Sequence, residues 1–480
     1  MPGRQGLILA LAAACIPAGC GTGASTHHDG ASAALDASSR DSAGIRILEL
    51  SHTLEAIATG GVRAATVAPD LRVGESDADW LGAPTDVASL GAGRFAVFDR
   101  MQKAILLFDS AGAPAGRLGR EGGAPGEYHE PLALAAVGDH LVAWQDQPTS
   151  TFTVLGPDGE PRATGGASVA GDWGRPRHRM PYLDMRGGRD GPEDLTRRLA
   201  AVGDTAFAHL VQVDERQHEG QEAPFSWSSP PAFLIRYGLD ARVRDTLAVL
   251  AGAPTLRSEQ DATARATGAT LRQTMWTQPL FSGRPVWAAG NGWLALGHGD
   301  SSHVEVRGLA GETLLRVRWP AARSLVTDTA RIEAAIWTVA YRVLDTREAW
   351  AFFERETRKG WAEGVASDAE NYLSFAEQAP TITAAFGAGA CLFLAGFAPR
   401  DWVDGTSLTW VAVNVESAEV EAVFRLAPPV LTLKGRHLRV ERRGGAVSEI
   451  DGRFAFVIAR NDDGAFVVQR YPLPLLRCAR

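Results

Sequence analysis

Short apolar runs, each closed by a polar turn, recur along most of this chain. Arg94-Phe-Ala-Val-Phe-Asp99 is followed by Ala104-Ile-Leu-Leu-Phe-Asp-Ser-Ala-Gly112, and His140-Leu-Val-Ala-Trp-Gln145 by Phe152-Thr-Val-Leu-Gly-Pro-Asp-Gly159. The same phrase returns at Ala232–Val243, at Trp293–Gly311, at Cys391–Ser417 and at Arg453–Tyr471, which makes six copies. Val304-Glu-Val-Arg alternates apolar and polar residues, the period of a strand with one wet face. Phe95-Ala-Val-Phe and Leu392-Phe-Leu-Ala are apolar throughout, as a strand covered on both faces must be. Asp-Gly and Ala-Gly pairs supply the positive φ of tight hairpins. A repeat of about 40 to 50 residues holding several short strands predicts a propeller blade, which must stack on neighbours to bury its faces. The expected fold class is all-β, a six-bladed β-propeller over residues 63–475. A β-sandwich followed by a second domain is the alternative.

Three stretches break the spacing. Asp172 to about Ala200 is rich in Arg, Gly, Pro and Asp and reads as a loop leaving its blade. Gln212–Pro231 reads as a polar excursion inside the third blade. Between Thr327 and Gln378 the period changes: Ile332, Ile336, Val339 and Val343 recur at helical spacing, and Asp345-Thr-Arg-Glu348 and Ser367-Asp-Ala-Glu370 resemble capping boxes. This predicts a small helical insertion over 328–376, before the fifth blade's core strands, with Trp337, Trp350, Phe352, Phe353 and Trp361 packing it onto the ring.

Gly119-Arg-Glu-Gly-Gly-Ala-Pro-Gly-Glu-Tyr128 lies between the last strand of one predicted blade and the first of the next. It resembles the Gly-Arg-x-Gly-x-Gly-Pro-Gly-Glu-Phe phrase of bacterial six-bladed β-propeller lipoproteins, relatives of the NHL and TolB-like propellers. Ala124 stands for a Gly of that phrase and Tyr128 for its Phe. Ile458–Tyr471 resembles the closing hairpin of the same family. The resemblance runs from about Ala65 to Leu473, is weak in the middle, and implies a fold and a location without a catalytic set. A phosphate cradle would need a helix and a Lys-Ser/Thr end after the glycines, and neither follows. The phrase therefore reads as a blade-to-blade crossover with Tyr128 packed between blades.

The N-terminus adds a location. Arg4, the apolar run from Leu7, then Ala18-Gly19-Cys20 read as a bacterial lipoprotein signal, with Pro17 where the pattern has Leu. Residues 1–19 are the expected signal peptide, Cys20 the lipidated residue, and 20–62 a flexible tether poor in large apolar residues. Gly21, in place of Asp, implies outer-membrane sorting in the bacterial cell envelope. Within the tether, His27-His28-Asp29 reads as incidental.

Bulk composition trims the function classes. The chain has 480 residues, 45% of them hydrophobic, with a formal net charge of −8. An acidic chain without a basic stripe argues against a nucleic-acid partner. Of four cysteines, Cys15 leaves with the signal and Cys20 carries lipid. Cys391 and Cys478 are expected as unpaired thiols; a bond between them is the alternative that an oxidising envelope permits. His298-Gly-Asp-Ser-Ser-His303 has the most metal-like spacing. His298, Asp300 and His303 are thus candidate ligands, but residues around a hairpin turn diverge, and a polar turn with no metal is the expectation. Asp99 and Asp109, at strand ends, read as turn closers. No nucleophile elbow occurs, and no catalytic residue or cofactor is assigned. The expected role is a membrane-tethered binding module for a protein, peptide or glycan. The alternative is a metal-dependent envelope hydrolase or lyase, with acids from several blades meeting at the propeller axis.

Overall fold

In the computed structural model, the described residues are 35–145, 150–166, 198–212, 227–228, 231–263, 270–277, 281–327, 331, 376–397, 409–427, 430–434, 439–443, 446–461 and 465–479. From Ala33 onward the chain forms one compact unit.

Six antiparallel sheets follow one another along the chain, each counted here as a blade. Blade one comprises Pro84–Ser89, Phe95–Asp99, Ala104–Phe108 and Pro114–Leu118. Blade two comprises Pro131–Val137, His140–Gln145, Thr151–Leu155 and Pro161–Gly166. In blade three the strands are Leu199–Ala201, Ala206–Gln212, Pro231–Gly238 and Val243–Ala251. Blade four holds Pro285–Gly290, Trp293–His298, His303–Gly308 and Thr313–Arg318, and blade five Ala384–Ala388, Cys391–Ala395, Thr409–Asn414 and Glu419–Leu426. Blade six takes Ala446–Ile450, Phe454–Arg460 and Phe466–Pro472 from the C-terminal end and Leu71–Val73 from the N-terminal end as its outer strand.

The apolar phrases found in the sequence fall on the inner strands of these sheets. Phe95–Asp99 and Cys391–Ala395 are buried along their whole length. Six apolar clusters fill the spaces between successive blades. Phe98 and Ile105 meet Leu134 and Ala143 between blades one and two. Val142 and Phe152 meet Phe207 and Tyr237 between two and three, and Leu210 and Leu234 meet Trp287 and Leu294 between three and four. Val286 and Ala295 meet Leu392 and Val411 next, and Phe393 and Trp410 meet Ala455 and Tyr471 after them. Phe456 and Val468 finally meet Phe95 and Val97, which returns blade six to blade one. An open arc or a sandwich would leave one such seam without a partner; here the ring is closed.

The N-terminal segment departs from the tether expected over 20–62. Ala37–Ser42 and Ile45–Leu50 form a hairpin, and the second strand joins the outer edge of blade four in parallel. A one-turn helix, Leu54–Ala58, follows; Thr53 caps it by accepting the Ala56 N–H at 3.0 Å, and Leu54, Ile57 and Ala58 are buried. Ala65–Val67 then pairs with the outer strand of blade five, and Leu71–Val73 completes blade six. This belt crosses three consecutive blades before the ring's own first strand begins. Arg470 fastens its end. The guanidinium takes both Asp70 carboxylate oxygens at 3.0 and 2.9 Å and donates to the carbonyls of Gly93 and Ser110 across the seam.

Cys391 and Cys478 are joined in a disulfide, correcting the expectation of unpaired thiols. The bond ties the buried second strand of blade five to the short C-terminal turn Arg477–Ala479. Two residues 87 apart along the chain give no local cue to pairing; the closed ring brings their Cα atoms to 5.0 Å. The helical insertion expected over 328–376 lies outside the described residues except for Arg331 and Ala376. Its two ends meet, since Val326 N–H donates to Glu377 O at 3.0 Å and Ala379 N–H to Ser324 O at 2.9 Å.

Candidate functional site at the propeller axis

The innermost strand of each blade faces the axis, and three of these six positions carry a charge inward. Pro84-Thr-Asp-Val-Ala-Ser89 places Asp86, Ala446-Val-Ser-Glu-Ile450 places Glu449, and Arg198 immediately precedes the short strand Leu199–Ala201. All other residues of these strands are apolar, small or hydroxylic, so the charges stand alone in a narrow wall. Each of the three is enclosed by protein on every side but keeps some water-reachable surface, which marks a channel wall rather than a dry core.

Asp86 bridges blades six, one and two, and Arg198 bridges blades three, four and five. Asp86 of blade one accepts the Leu134 N–H of blade two at 2.8 Å, the Val87 N–H at 2.9 Å, and the Ser448 hydroxyl of blade six. The Ser448 oxygen in turn accepts the Val87 N–H at 2.9 Å. Arg198 of blade three donates through Nη1 to the carbonyls of Ala385 in blade five at 2.5 Å and of Trp287 in blade four at 3.4 Å. Its guanidinium lies 3.8 Å from the Phe386 ring centroid and 5.6 Å from that of Trp287.

Burial dominates the electrostatics. It pushes Glu449 up to about 8, with Asp86 and Asp451 adding repulsion and Arg198 opposing. It pushes Asp86 up to about 6, against the donors of Ser448, Leu134 and Val87 and the charge of Arg198. The same enclosure brings Arg198 down to about 10, while the two acids hold its proton on. At neutral pH the axis thus presents a carboxylate already supplied with donors, a guanidinium, and a protonated glutamic acid. That set binds by hydrogen bonds and charge. A guanidinium among two acids opposes a divalent cation, and no cluster of three or more metal-ligating side chains occurs among the described residues.

The two faces of the ring differ sharply. Turns from first to second and from third to fourth strands all lie on one face, and they run from two residues at 138–139 to five at 90–94. Second-to-third turns and blade-to-blade connections start and end on the opposite face, where 74–83, 100–103, 119–130 and 299–302 lie; the strands that end there are also separated by the longer stretches of sequence, as between Gly166 and Leu199, Gln212 and Pro231, Arg318 and Ala384, and Leu426 and Ala446. The ends of the polar excursion expected at Gln212–Pro231, of whose interior only Trp227 and Ser228 are described, fall there, between the second and third strands of blade three. So does a hairpin the periodicity did not reveal, Thr255–Thr263 with Thr270–Thr277, paired with Trp227–Ser228. Trp80 and Met101, 48% and 64% exposed, stand side by side on the same face across Gly82.

The other candidates have plain positions. His298 and Asp300 are neighbours in a second-to-third turn on that face: His298 Nδ1 accepts the Asp300 N–H at 3.2 Å, and Asp300 is paired with Arg323 at 2.6 Å. His303 begins the next strand at the surface, and its partial desolvation together with the nearby Arg316 and Arg318 lowers its pKa. Asp99 is buried and closes its turn by accepting Gly82 N–H at 2.7 Å and Gln102 N–H at 2.8 Å. Asp109 does the same for Ala111 and Ala113. Tyr128 is fully buried at the seam of blades one and two, edge-on to Phe98 with centroids 4.8 Å apart. Gly119 has φ +79°, and a Cβ there would stand 2.4 Å from the Tyr128 ring, so the crossover needs its glycine. Cys20, the expected signal, and the His27-His28-Asp29 run lie outside the described residues.

Asp86, Arg198 and Glu449 escaped the sequence reading, which followed the apolar second and third strands. What they share in the sequence is a charge in or just before the short strand that precedes a blade's second strand, five to nine positions ahead of it.

No family model matches the chain. No curated protein matches it. Among solved structures it is similar to a protein of Bacteroides fragilis NCTC 9343 described as exported, at 6% identity and a TM-score of 0.37, covering 85% of this chain and 99% of that one. It is also similar to a protein of unknown function from Bacteroides caccae, at 11% identity and a TM-score of 0.30, covering 71% and 81%. Likeness this remote carries no argument about function. The six-bladed ring stands on its strand pairing and its six inter-blade cores.

Proposed function

We propose that the protein is a bacterial envelope lipoprotein, of the NHL and TolB-like kind, whose propeller is a binding module for a protein, peptide or glycan ligand. The observation that carries this reading is that the strand ends joined by the long connections all lie on one face of the ring, around an axis lined by Asp86, Arg198 and Glu449. A ring used only as a spacer has no reason to load one face with inserts and leave the other with tight turns; loops on a rigid scaffold are where recognition is built. Exposed Trp80 and Met101 add an adhesive aromatic and thioether patch to that face. The sequence run ending in Cys20 supports lipid attachment and an outer-membrane address, with residues 1–19 removed as a signal peptide. The described ends of the segment expected as a helical insertion, Ser324–Val326 and Glu377–Ala379, pair with one another within the connection from blade four to blade five.

Site-specific photo-crosslinking in cells tests the binding face. A crosslinking residue at Trp80 or Met101 should give adducts, and one at Ala92 or Ala310, in the tight turns opposite, should not. Adducts from the tight-turn face alone would reverse the reading. Cys20→Ser should move the protein from the membrane to the soluble fraction with its fold retained; continued membrane retention would remove the anchor.

A further inference from the structure

The chain enters the ring on the binding face. Ala37 pairs with Leu50 and Ser42 with Ile45, and the Ser51 N–H donates to the Asp36 carbonyl at 2.9 Å. Ile45–Leu50 runs parallel to Thr313–Arg318, the fourth strand of blade four. A fourth strand ends on the face where the blade-to-blade connections begin. Leu50 and its partner Ala37 therefore lie at that end, and the chain arrives there through Leu35. Fifteen peptide units separate Cys20 from Leu35, a link that spans at most about 50 Å when fully drawn out. A ring standing on its tight turns would oblige this link to run back along the rim by the length of a strand, about 20 Å, before meeting lipid. A ring standing on the binding face asks for no such detour.

Exposed apolar side chains follow the same polarity. Trp80 and Met101 stand on blade one's side of the binding face. Leu325, 72% exposed, stands on blade four's side. Its neighbours fix it there: Arg323 pairs with Asp300 at 2.6 Å, in a second-to-third turn of that blade, and the Ser324 hydroxyl donates to Glu55 at 2.7 Å, in the belt helix. Blades one and four are opposite one another in a ring of six. Of the other exposed large apolar residues among the described ones, Val243 and Val249 lie on the rim, in the outer strand of blade three, and Leu475 lies toward the tight turns. A peptide in a groove gathers its apolar contacts in one place; contacts on opposite sides of the axis fit a broad, flat surface.

We infer that the binding face rests on the lipid surface that holds the anchor, with Trp80, Met101 and Leu325 seated in its interfacial layer. Tryptophan is suited to that layer, with an apolar body and a polar tip. The ligand met by the connections around the axis is then one presented at the same surface. This goes beyond the binding-module reading and rests on its Cys20 anchor. Charge selects the lipid. Arg100, Lys103 and Arg120 are turned to protein acceptors, which are Glu130 at 3.6 Å, the His129 carbonyl, and Glu127 at 2.8 Å, whereas Asp77 and Glu121 stand exposed on the same face. Such a face gains nothing from anionic headgroups, so the contact is apolar and made with net-neutral phospholipid. Three side chains are too few to hold the protein without acyl chains; they set the orientation of an anchored ring.

The lipidated full-length chain in phosphatidylcholine vesicles, with a photo-crosslinking residue at one position at a time, tests this through mass spectrometry of lipid adducts. Positions 80, 101 and 325 are exposed, so the fold tolerates the change. They should give lipid adducts, and positions 92 and 310, in the tight turns, should not. The yield should persist at high salt, because the contact is apolar, and adding phosphatidylglycerol should not raise it. Lipid adducts absent from positions 80 and 325, equal at 92 and 310, or formed only with phosphatidylglycerol overturn the inference. Protein adducts from position 80 in cells, without lipid adducts in vesicles, would seat a protein partner there instead; that sinks the inference and leaves the binding module in place. A chain purified from membranes without lipid on Cys20 would remove the anchor, and the inference with it.

Discussion

Glu449→Gln makes the enclosure of the axis measurable as stability. The side chain holds its proton up to about 8 in the native ring, against an ordinary value of 4.5. Between those values the folded chain binds one more proton than the unfolded chain. Wild-type stability therefore falls as pH rises from about 4.5 to about 8 and no longer changes on this account above it. The whole gap corresponds to about 5 kcal/mol, and water reaching the channel wall reduces it, so a loss of ~2–5 kcal/mol is expected. Glutamine is close in shape and does not titrate. The variant should match the wild type near pH 5 and exceed it by that amount near about pH 9. For a ring of this size, about 1 kcal/mol shifts the melting temperature by about 1 °C, so scanning calorimetry from acid to alkaline pH resolves the difference. Asp86, pushed up to about 6, titrates in both proteins and largely cancels. Parallel melting curves across the whole range would show that Glu449 ionises as if in water and would refute an enclosed axis.

The disulfide closes a long loop across the seam from blade five to the C-terminus, so reduction or Cys391→Ser should lower stability by about 2–5 kcal/mol in chemical denaturation; an unchanged midpoint, or two titratable thiols in the oxidised protein, would contradict it. Tyr128 buries a hydroxyl with no partner among the described residues, so Tyr128→Phe should be neutral or stabilise by up to about 1 kcal/mol in the same assay, and a clear loss would mean that the hydroxyl is satisfied. Deleting residues 328–370 should leave a cooperative unfolding transition, because Ser324–Val326 and Glu377–Ala379 already lie side by side; loss of that transition would place the segment in the ring's core.

The parts of the fold legible in the sequence are those whose side chains do the pairing. Phe95–Asp99, His140–Gln145 and Cys391–Ala395 are wrapped by two neighbouring blades, so they must be apolar on both faces and stand out as phrases. The belt was hidden because Ala37–Ser42 is exposed at every position and is held through its backbone. A strand that pairs by main-chain groups alone carries the composition of a linker. The first strands were hidden by their size. Leu199–Ala201 has three residues, and Ala384–Ala388 is small at every position but Phe386. The candidate site was the least legible part. Its three charged residues lie far apart in sequence, and only the ring's rotation brings positions 86, 198 and 449 together. The turn-closing roles of Asp99 and Asp109 are local, and they were read correctly from spacing alone.

The account turns on a closed ring whose charged first-strand residues meet at the axis, and a crystal structure of the chain tests it most directly. The expected result is six sheets in cyclic contact, with the Arg198 guanidinium against the carbonyls of Trp287 and Ala385 and the Asp86 carboxylate on Ser448 and the Leu134 N–H. An open or two-layered arrangement, or Arg198 turned out to solvent and Asp86 apart from blade six, would contradict it.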